Sequence, residues 1–494
     1  MKNGATVEEK VGWTETELGQ LCDVIRGASP RPMGDPKYFS GTIPFIKIGD
    51  ITSVSGNTIF DSEIHVNEIG AKKSRFLKKG TLILSNSGTV CIPKFLGVDA
   101  CIHDGFVAFN NIPNFVLQSF LFHYFHYIRP HVIQKHKQGI TQVNLNTTIV
   151  KEFTIPIPPL PEQHAIVSKI EQLFSELDNG IANLKLAQEQ LKVYRRAVLK
   201  KAFEGELTKK WRKQQADLPD AGELLAHIRK EREKAAKIAG KKLKPVKPFT
   251  EDELEYLKIL PNEWNWVKIG DLTLGVEYGT SAKSKEFGDI AVLRMGNIQN
   301  GKFDWNDLVY TSDKADIKKY LLRKDDVLFN RTNSPELVGK TAIYKGEIPA
   351  IFAGYLIRIN QFPRSAVADY LNYFLNCPLA KVYGNSIKTD GVNQSNINGE
   401  KLGNYPFPLC SLAEQQAIVQ EIETRLSVCD KIEQDIETNL KKAEALRQSI
   451  LKKAFDGKLL NEKELAEVRG AEDWEPTEVL LERIKAERAR NGKK

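Results

Sequence analysis

The sequence predicts an α+β protein of two similar halves: two α/β modules separated by two long antiparallel helices that form a coiled coil, related by an internal pseudo-twofold repeat. Three observations carry the prediction. The stretch LPEQHAIVSKIEQLFSELD…VLKKAFEGEL, from Leu160 to Leu207, returns as LAEQQAIVQEIETRLSVCD…ILKKAFDGKL, from Leu412 to Leu459, at a constant offset of 252. Within each copy the apolar residues fall at three- and four-residue steps, which is one apolar face of a helix. Ahead of each copy the texture changes to short alternating β-type runs broken by Gly, Pro and Asn.

The bulk composition sets the frame. A chain of 494 residues suits two to four domains. Lys and Arg outnumber Asp and Glu by 71 to 63, a net charge of +8 that tilts toward an anionic partner. The six cysteines (Cys22, Cys91, Cys101, Cys377, Cys410, Cys429) form no CxxC pair, so they suggest neither a disulfide framework nor a zinc ribbon and read as buried, reduced thiols. The N-terminus has no apolar signal core, and no run reaches the eighteen or so apolar residues that a membrane span needs. A soluble, cytoplasmic protein is expected.

Residues 1–155 form the first module and 263–405 the second, and their stations align weakly. Trp13 answers Trp264, LGQL (Leu18 to Leu21) answers IGDL (Ile269 to Leu272), and FIKIGDI (Phe45 to Ile51) answers VLRMGNI (Val292 to Ile298). FLKKGTLILS (Phe76 to Ser85) answers YLLRKDDVLFN (Tyr320 to Asn330), and TQVNL (Thr141 to Leu145) answers NQSNI (Asn393 to Ile397). The first long helix occupies 156–208. Its predicted seam includes Ile170, Leu177, Ile181, Leu184 and Leu191, with Gln188 the polar intruder. The second occupies 406–460, with Ile422, Leu426, Ile436, Leu440 and Ile450. Prolines announce each helix and Gly205 or Gly457 closes it. A helix of this length with a single apolar stripe needs a partner helix, and the other copy supplies one. Residues 209–262 read as a short helix and a basic, Pro-containing linker, and 461–494 as a helical tail.

The motifs IPPLPEQHAIV (Ile157 to Val167), LKKAFEGEL (Leu199 to Leu207), their copies LCSLAEQQAIV (Leu409 to Val419) and LKKAFDGKL (Leu451 to Leu459), and GITQVNL (Gly139 to Leu145) resemble the DNA-specificity subunit of type I restriction-modification systems. The likeness runs from about Trp13 to the end of the chain. The second helix start departs from the pattern, with Cys410, Ser411 and Ala413 where the first has Pro158, Pro159 and Pro161. The resemblance implies two target-recognition domains, each reading one part of an asymmetric bipartite site on double-stranded DNA. It implies that the helices set the unread gap and hold two copies of a methyltransferase subunit, to which motor-nuclease subunits are added for restriction. S-adenosylmethionine, ATP and Mg would then belong to the partners, with no cofactor on this chain.

The remaining motifs agree. No Asn-Pro-Pro-aromatic or Asp-Pro-Pro-aromatic tetrapeptide is present, nor a Gly-rich turn suited to S-adenosylmethionine. SPELVGKT (Ser334 to Thr341) misses a phosphate-cradling loop by its first glycine, and the first copy has no counterpart. His123 and His126 share a helical face, but their Phe and Tyr neighbours favour a core helix over a metal site. Groove readout needs Arg or Lys for guanine and Asn or Gln for adenine, on loops. Three loop sets in each half have that composition. In the first half they supply Arg31 and Lys37, then Asn86 and Ser87, then Lys135, Lys137, Thr141, Gln142 and Asn144. In the second they supply Lys283 and Lys285, then Arg331 and Asn333, then Lys388, Asn393, Gln394 and Asn396. Ordinary turn chemistry explains many of the same residues. The alternative from another class is a coiled-coil scaffold with two protein-binding heads.

Overall fold

A computed structural model describes residues 10–54, 56–136, 145–215, 218–238, 240, 243 and 245–491. The chain divides into two compact units. One runs to Leu184 and resumes at Glu437, and the other is Lys185–Ile436. Both long helices, Leu160–Phe203 and Leu412–Phe455, are 44 residues long, and each gives one part to either unit.

In the first unit a five-stranded sheet has the order Asp23–Arg26, Phe106–Asn110, Leu82–Ser85, Pro93–Leu96, Thr58–Ile59. A four-stranded sheet has the order His65–Val66, Ile43–Ile46, Ala100–Ile102, Arg75–Leu77. Strand alternation divides the apolar residues between two cores. Ile83, Leu96 and Phe106 pack with Ile46 and Ile102 between the sheets. Leu82, Leu84, Val107 and Phe109 face the other way, against Phe120, Leu121 and Phe125 of the helix Gln118–His136. Thr14–Glu17 pairs antiparallel with Thr154–Ile157, so the two ends of the module meet at the foot of the first long helix.

The second unit repeats this plan. Its main sheet runs Thr273–Tyr278, Leu356–Gln361, Val327–Asn330, Thr341–Ile343. Ile290–Leu293 lies parallel to Ala350–Phe352, as Ile43–Ile46 lies parallel to Ala100–Ile102. Asn265–Lys268 and Pro406–Leu409 form the closing pair. One addition has no described counterpart in the first unit: a small sheet ordered Thr332–Asn333, Ser395–Asn396, Thr389–Asp390.

The local stations take definite forms. LGQL and IGDL are single helical turns, and FIKIGDI is a strand that turns into the helix Ile48–Ser53. The helix after the first long one extends over Ala221–Ile238, and the linker ends in a further turn, Glu251–Tyr256, capped reciprocally by Thr250 and Glu253. SPELVGKT joins Val327–Asn330 to the antiparallel strand Thr341–Ile343, so it opens no helix and lacks the setting of a phosphate loop.

The repeated motifs explain how the helices are fastened. In the first unit Trp13 Nε1 donates to Glu162 Oε1 at 2.9 Å; in the second Trp264 Nε1 donates to Glu414 Oε2 at 2.8 Å. The next residue does as much. Gln163 accepts from the Leu117 amide and donates to the Phe115 and Pro158 carbonyls, each at 2.8 Å. Gln415 accepts from Val367 at 2.8 Å and donates to Cys410 at 2.9 Å. The KKAF phenylalanine fills the head of its own unit. Phe455 meets Phe120, Tyr124 and Tyr127 with ring centroids 5.1, 5.3 and 5.1 Å apart, and Phe203 meets Tyr370 and Phe374 at 5.0 and 5.2 Å.

The helix pairing is antiparallel within each unit. Ile170 shares a core with Ile450, and Ile422 with Val198. Ile170, Ile422, Ile436 and Ile450 are buried, whereas Leu177, Ile181, Leu184, Leu191, Leu426 and Leu440 are half-buried, because two helices alone leave the flanks of their seam open to water. Charged pairs cross between the helices. Arg195 binds Asp430 at 2.7 Å and Glu433 at 2.8 Å, and Arg447 binds Asp178.

Candidate nucleic-acid interface

The polar loops gather where the strands of each main sheet end. In the first unit the link is the turn His103–Gly105. Ser29 Oγ donates to Asp104 Oδ1 at 3.0 Å, and Arg31, exposed, reaches Asp104 Oδ2 at 3.4 Å. The Asn86 amide donates to the Gly105 carbonyl at 2.9 Å, and the Leu145 amide to the Asn86 carbonyl at 2.7 Å. The first and second loop sets therefore converge, and Leu145 lies beside them. Lys37 is exposed, its Nζ 5.7 Å from the Tyr38 ring. Ser87 is half-buried, Lys135 exposed, and Asn86 only 1% exposed. Lys137, Thr141, Gln142 and Asn144 lie outside the described residues.

In the second unit the second and third sets meet. Strand pairing places Asn333 opposite Ser395 and Thr332 opposite Asn396, and Asn396 Nδ2 donates to Thr332 Oγ1 at 2.8 Å. Arg331 is half-buried. Its Nε donates to the Gly354 carbonyl at 2.8 Å, and its guanidinium lies 5.1 Å from the Tyr278 ring centroid. Tyr278, at a strand end, accepts the Gly399 amide at 2.9 Å through its hydroxyl. Asn393 and Gln394 are exposed on the turn between Thr389–Asp390 and Ser395–Asn396. Lys283 and Lys285 are exposed. Lys388 is largely covered, donating to the Pro335 carbonyl at 3.2 Å with Asp390 at 3.7 Å.

Arg26, Arg31 and Lys47 lie near the His103–Asp104 pair. Burial holds the His103 imidazole below its ordinary value; Asp104 opposes this, while Arg31, Lys47 and Arg26 add to it. By contrast, the helix histidines are core residues. His123 is 3% exposed and packs against Phe122 and Phe174, His126 packs against Phe122, and burial pushes both down to about 4. Among the described residues no cluster of metal-ligating side chains occurs.

Sequence reasoning did not single out Arg26 or the Asp104 turn, which lie among these loops. Arg26 ends a strand, so no loop composition marks it.

A duplicated chain whose modules each bring polar, cationic loops together beside a fastened helix pair is a DNA-sequence-recognition protein. The model of the type I restriction modification DNA specificity domain matches it twice, at residues 10–186 and 261–442, more than half the chain, and the chain belongs to that family. It is similar to the specificity subunit of the type I restriction enzyme EcoBI from Escherichia coli, 26% identical over 73% of this chain and 70% of that one. The EcoKI specificity subunit of strain K12 is 27% identical over 69% of this chain and 65% of its own length. The EcoDI subunit is 23% identical over 98% and 97%. Among solved structures, the HsdS subunit from Thermoanaerobacter tengcongensis shares the fold with a TM-score of 0.52 at 18% identity, covering 91% of this chain and 98% of that one. A chain from a type I R-M system studied for complex assembly and conformational transition does so at 0.62 and 18%, covering 91% and 99%. Among the described residues no helix is long and apolar enough to cross a membrane.

Proposed function

We propose that this chain is the non-catalytic, sequence-reading subunit of a cytoplasmic type I restriction-modification complex. Each module reads one half of an asymmetric bipartite site on double-stranded DNA, and the helices set the unread gap. Two methyltransferase subunits dock on the helices, and motor-nuclease subunits complete the restriction complex. S-adenosylmethionine, ATP and Mg serve the partners. The observation that carries this reading is the convergence of separate polar loop sets at one end of each module. Docking is supported by apolar side chains left uncovered on the long helices in the second unit: Leu186, Val193, Tyr194, Val428 and Ile432 are 57, 65, 45, 55 and 42% exposed.

A salt titration tests it. Duplex binding by the complex with methyltransferase subunits is expected to fall steeply and log-linearly with salt, since each neutralised phosphate releases counterion. Affinity indifferent to salt would favour the protein-binding scaffold.

A further inference from the structure

The two modules can be put in register through their hydrogen bonds, independently of sequence. The Gly27 amide donates to the Phe106 carbonyl at 2.9 Å, and the Gly279 amide to the Leu356 carbonyl at 3.4 Å. One residue earlier on that strand, the Gly105 carbonyl accepts the Asn86 amide at 2.9 Å and the Tyr355 carbonyl accepts the Arg331 amide at 3.0 Å. The Asn86 carbonyl then accepts the Leu145 amide at 2.7 Å, and the Arg331 carbonyl accepts the Ile397 amide at 2.9 Å. Residue 86 thus corresponds to 331, residue 26 to 278, and residue 104 to 354.

In this register a guanidinium occupies the same station twice, supplied by different strands. Arg26 Nε donates to the Asp104 carbonyl at 3.0 Å, and Arg331 Nε donates to the corresponding Gly354 carbonyl at 2.8 Å. Where the first module has Arg26, the second has Tyr278, whose ring supports Arg331. Where the second has Arg331, the first has buried Asn86. Anchoring Nε fixes the guanidinium plane and leaves the two Nη groups without a hydrogen bond or ion pair among the described residues. Two parallel donors match O6 and N7 of guanine, and a pre-ordered arginine loses less freedom on binding.

We propose that Arg26 and Arg331 are the corresponding guanine readers of the two half-sites. This rests on the DNA-reading function. The test is methylation of a randomised duplex library by the full complex with its methyltransferase subunits. Arg26→Ala is expected to lower discrimination at one guanine of one half-site by roughly tenfold to a hundredfold, and Arg331→Ala at one guanine of the other. Arg26→Gln and Arg331→Gln keep a donor for the anchoring carbonyl and are expected to move the preference at that position toward adenine. A uniform fall across all sequences would make these phosphate contacts and overturn the assignment. An unchanged motif, or a parent half-site without a G·C pair, would overturn it equally. A parent complex with no bipartite motif would instead sink the function itself.

Discussion

Glu162 and Glu414 hold the same place in the repeat and differ in their company. Glu414 receives Thr208 Oγ1 at 2.7 Å, Arg212 Nε at 2.8 Å and Trp264 Nε1 at 2.8 Å. Glu162 receives Trp13 on one oxygen, and its Oε2 has no hydrogen-bond partner among the described residues. Burial pushes the Glu162 carboxyl above the ordinary glutamate value, against the opposing pull of Trp13 and Arg469. Glu414→Gln removes the charge facing a covered guanidinium and is expected to destabilise the second unit by about 2–3 kcal/mol. Glu162→Gln is expected to stay within about 1 kcal/mol of the parent at neutral pH. The pH sign is fixed by linkage. As pH rises, unfolded Glu162 releases its proton first, so its contribution to stability is lost from the ordinary glutamate value up to the raised folded one. Thermal unfolding of parent and Glu162→Gln across pH 4 to 8 should diverge in that direction, and parallel curves would contradict it.

At the scale of the element, the long helices were legible because their signal is redundant: one apolar stripe, given twice, without a gap. The reason for the repeated PEQ and KKAF letters was not legible, since it lies in contacts with Trp13, Phe115 and Phe120 far along the chain. Phe455→Ala and Phe203→Ala are expected to cost about 3–5 kcal/mol each, with hydrogen exchange accelerated in the unit that holds the substituted ring. Acceleration spread evenly over both units would argue against separate anchoring. The polar loops were legible as sets and the exposure of their members was not. Asn and Arg stand equally well in a turn, and only the strand register shows that Asn86 is interior while Arg26, at a strand end, faces out.

For the molecule as a whole, the repeat predicts modular behaviour. Replacing residues 13–150 by the corresponding segment of another specificity subunit is expected to change one half-site and leave the other intact in methylation mapping. Both halves changing together would refute independent modules. Calorimetric titration of S-adenosylmethionine into the isolated chain is expected to show no saturable binding, and stoichiometric binding would overturn the division of labour.

The central claim, that two readers are spaced by a helical ruler, meets its most direct test in one double insertion. Adding a heptad to both long helices at facing positions preserves the apolar stripe and lengthens the pair by about 10 Å. That corresponds to roughly three base pairs at about 3.4 Å each. Base-resolution methylation mapping of the active variant complex should return the two original half-sites with the unread gap longer by about three base pairs. An active complex that kept the original gap would show that something other than these helices sets the spacing.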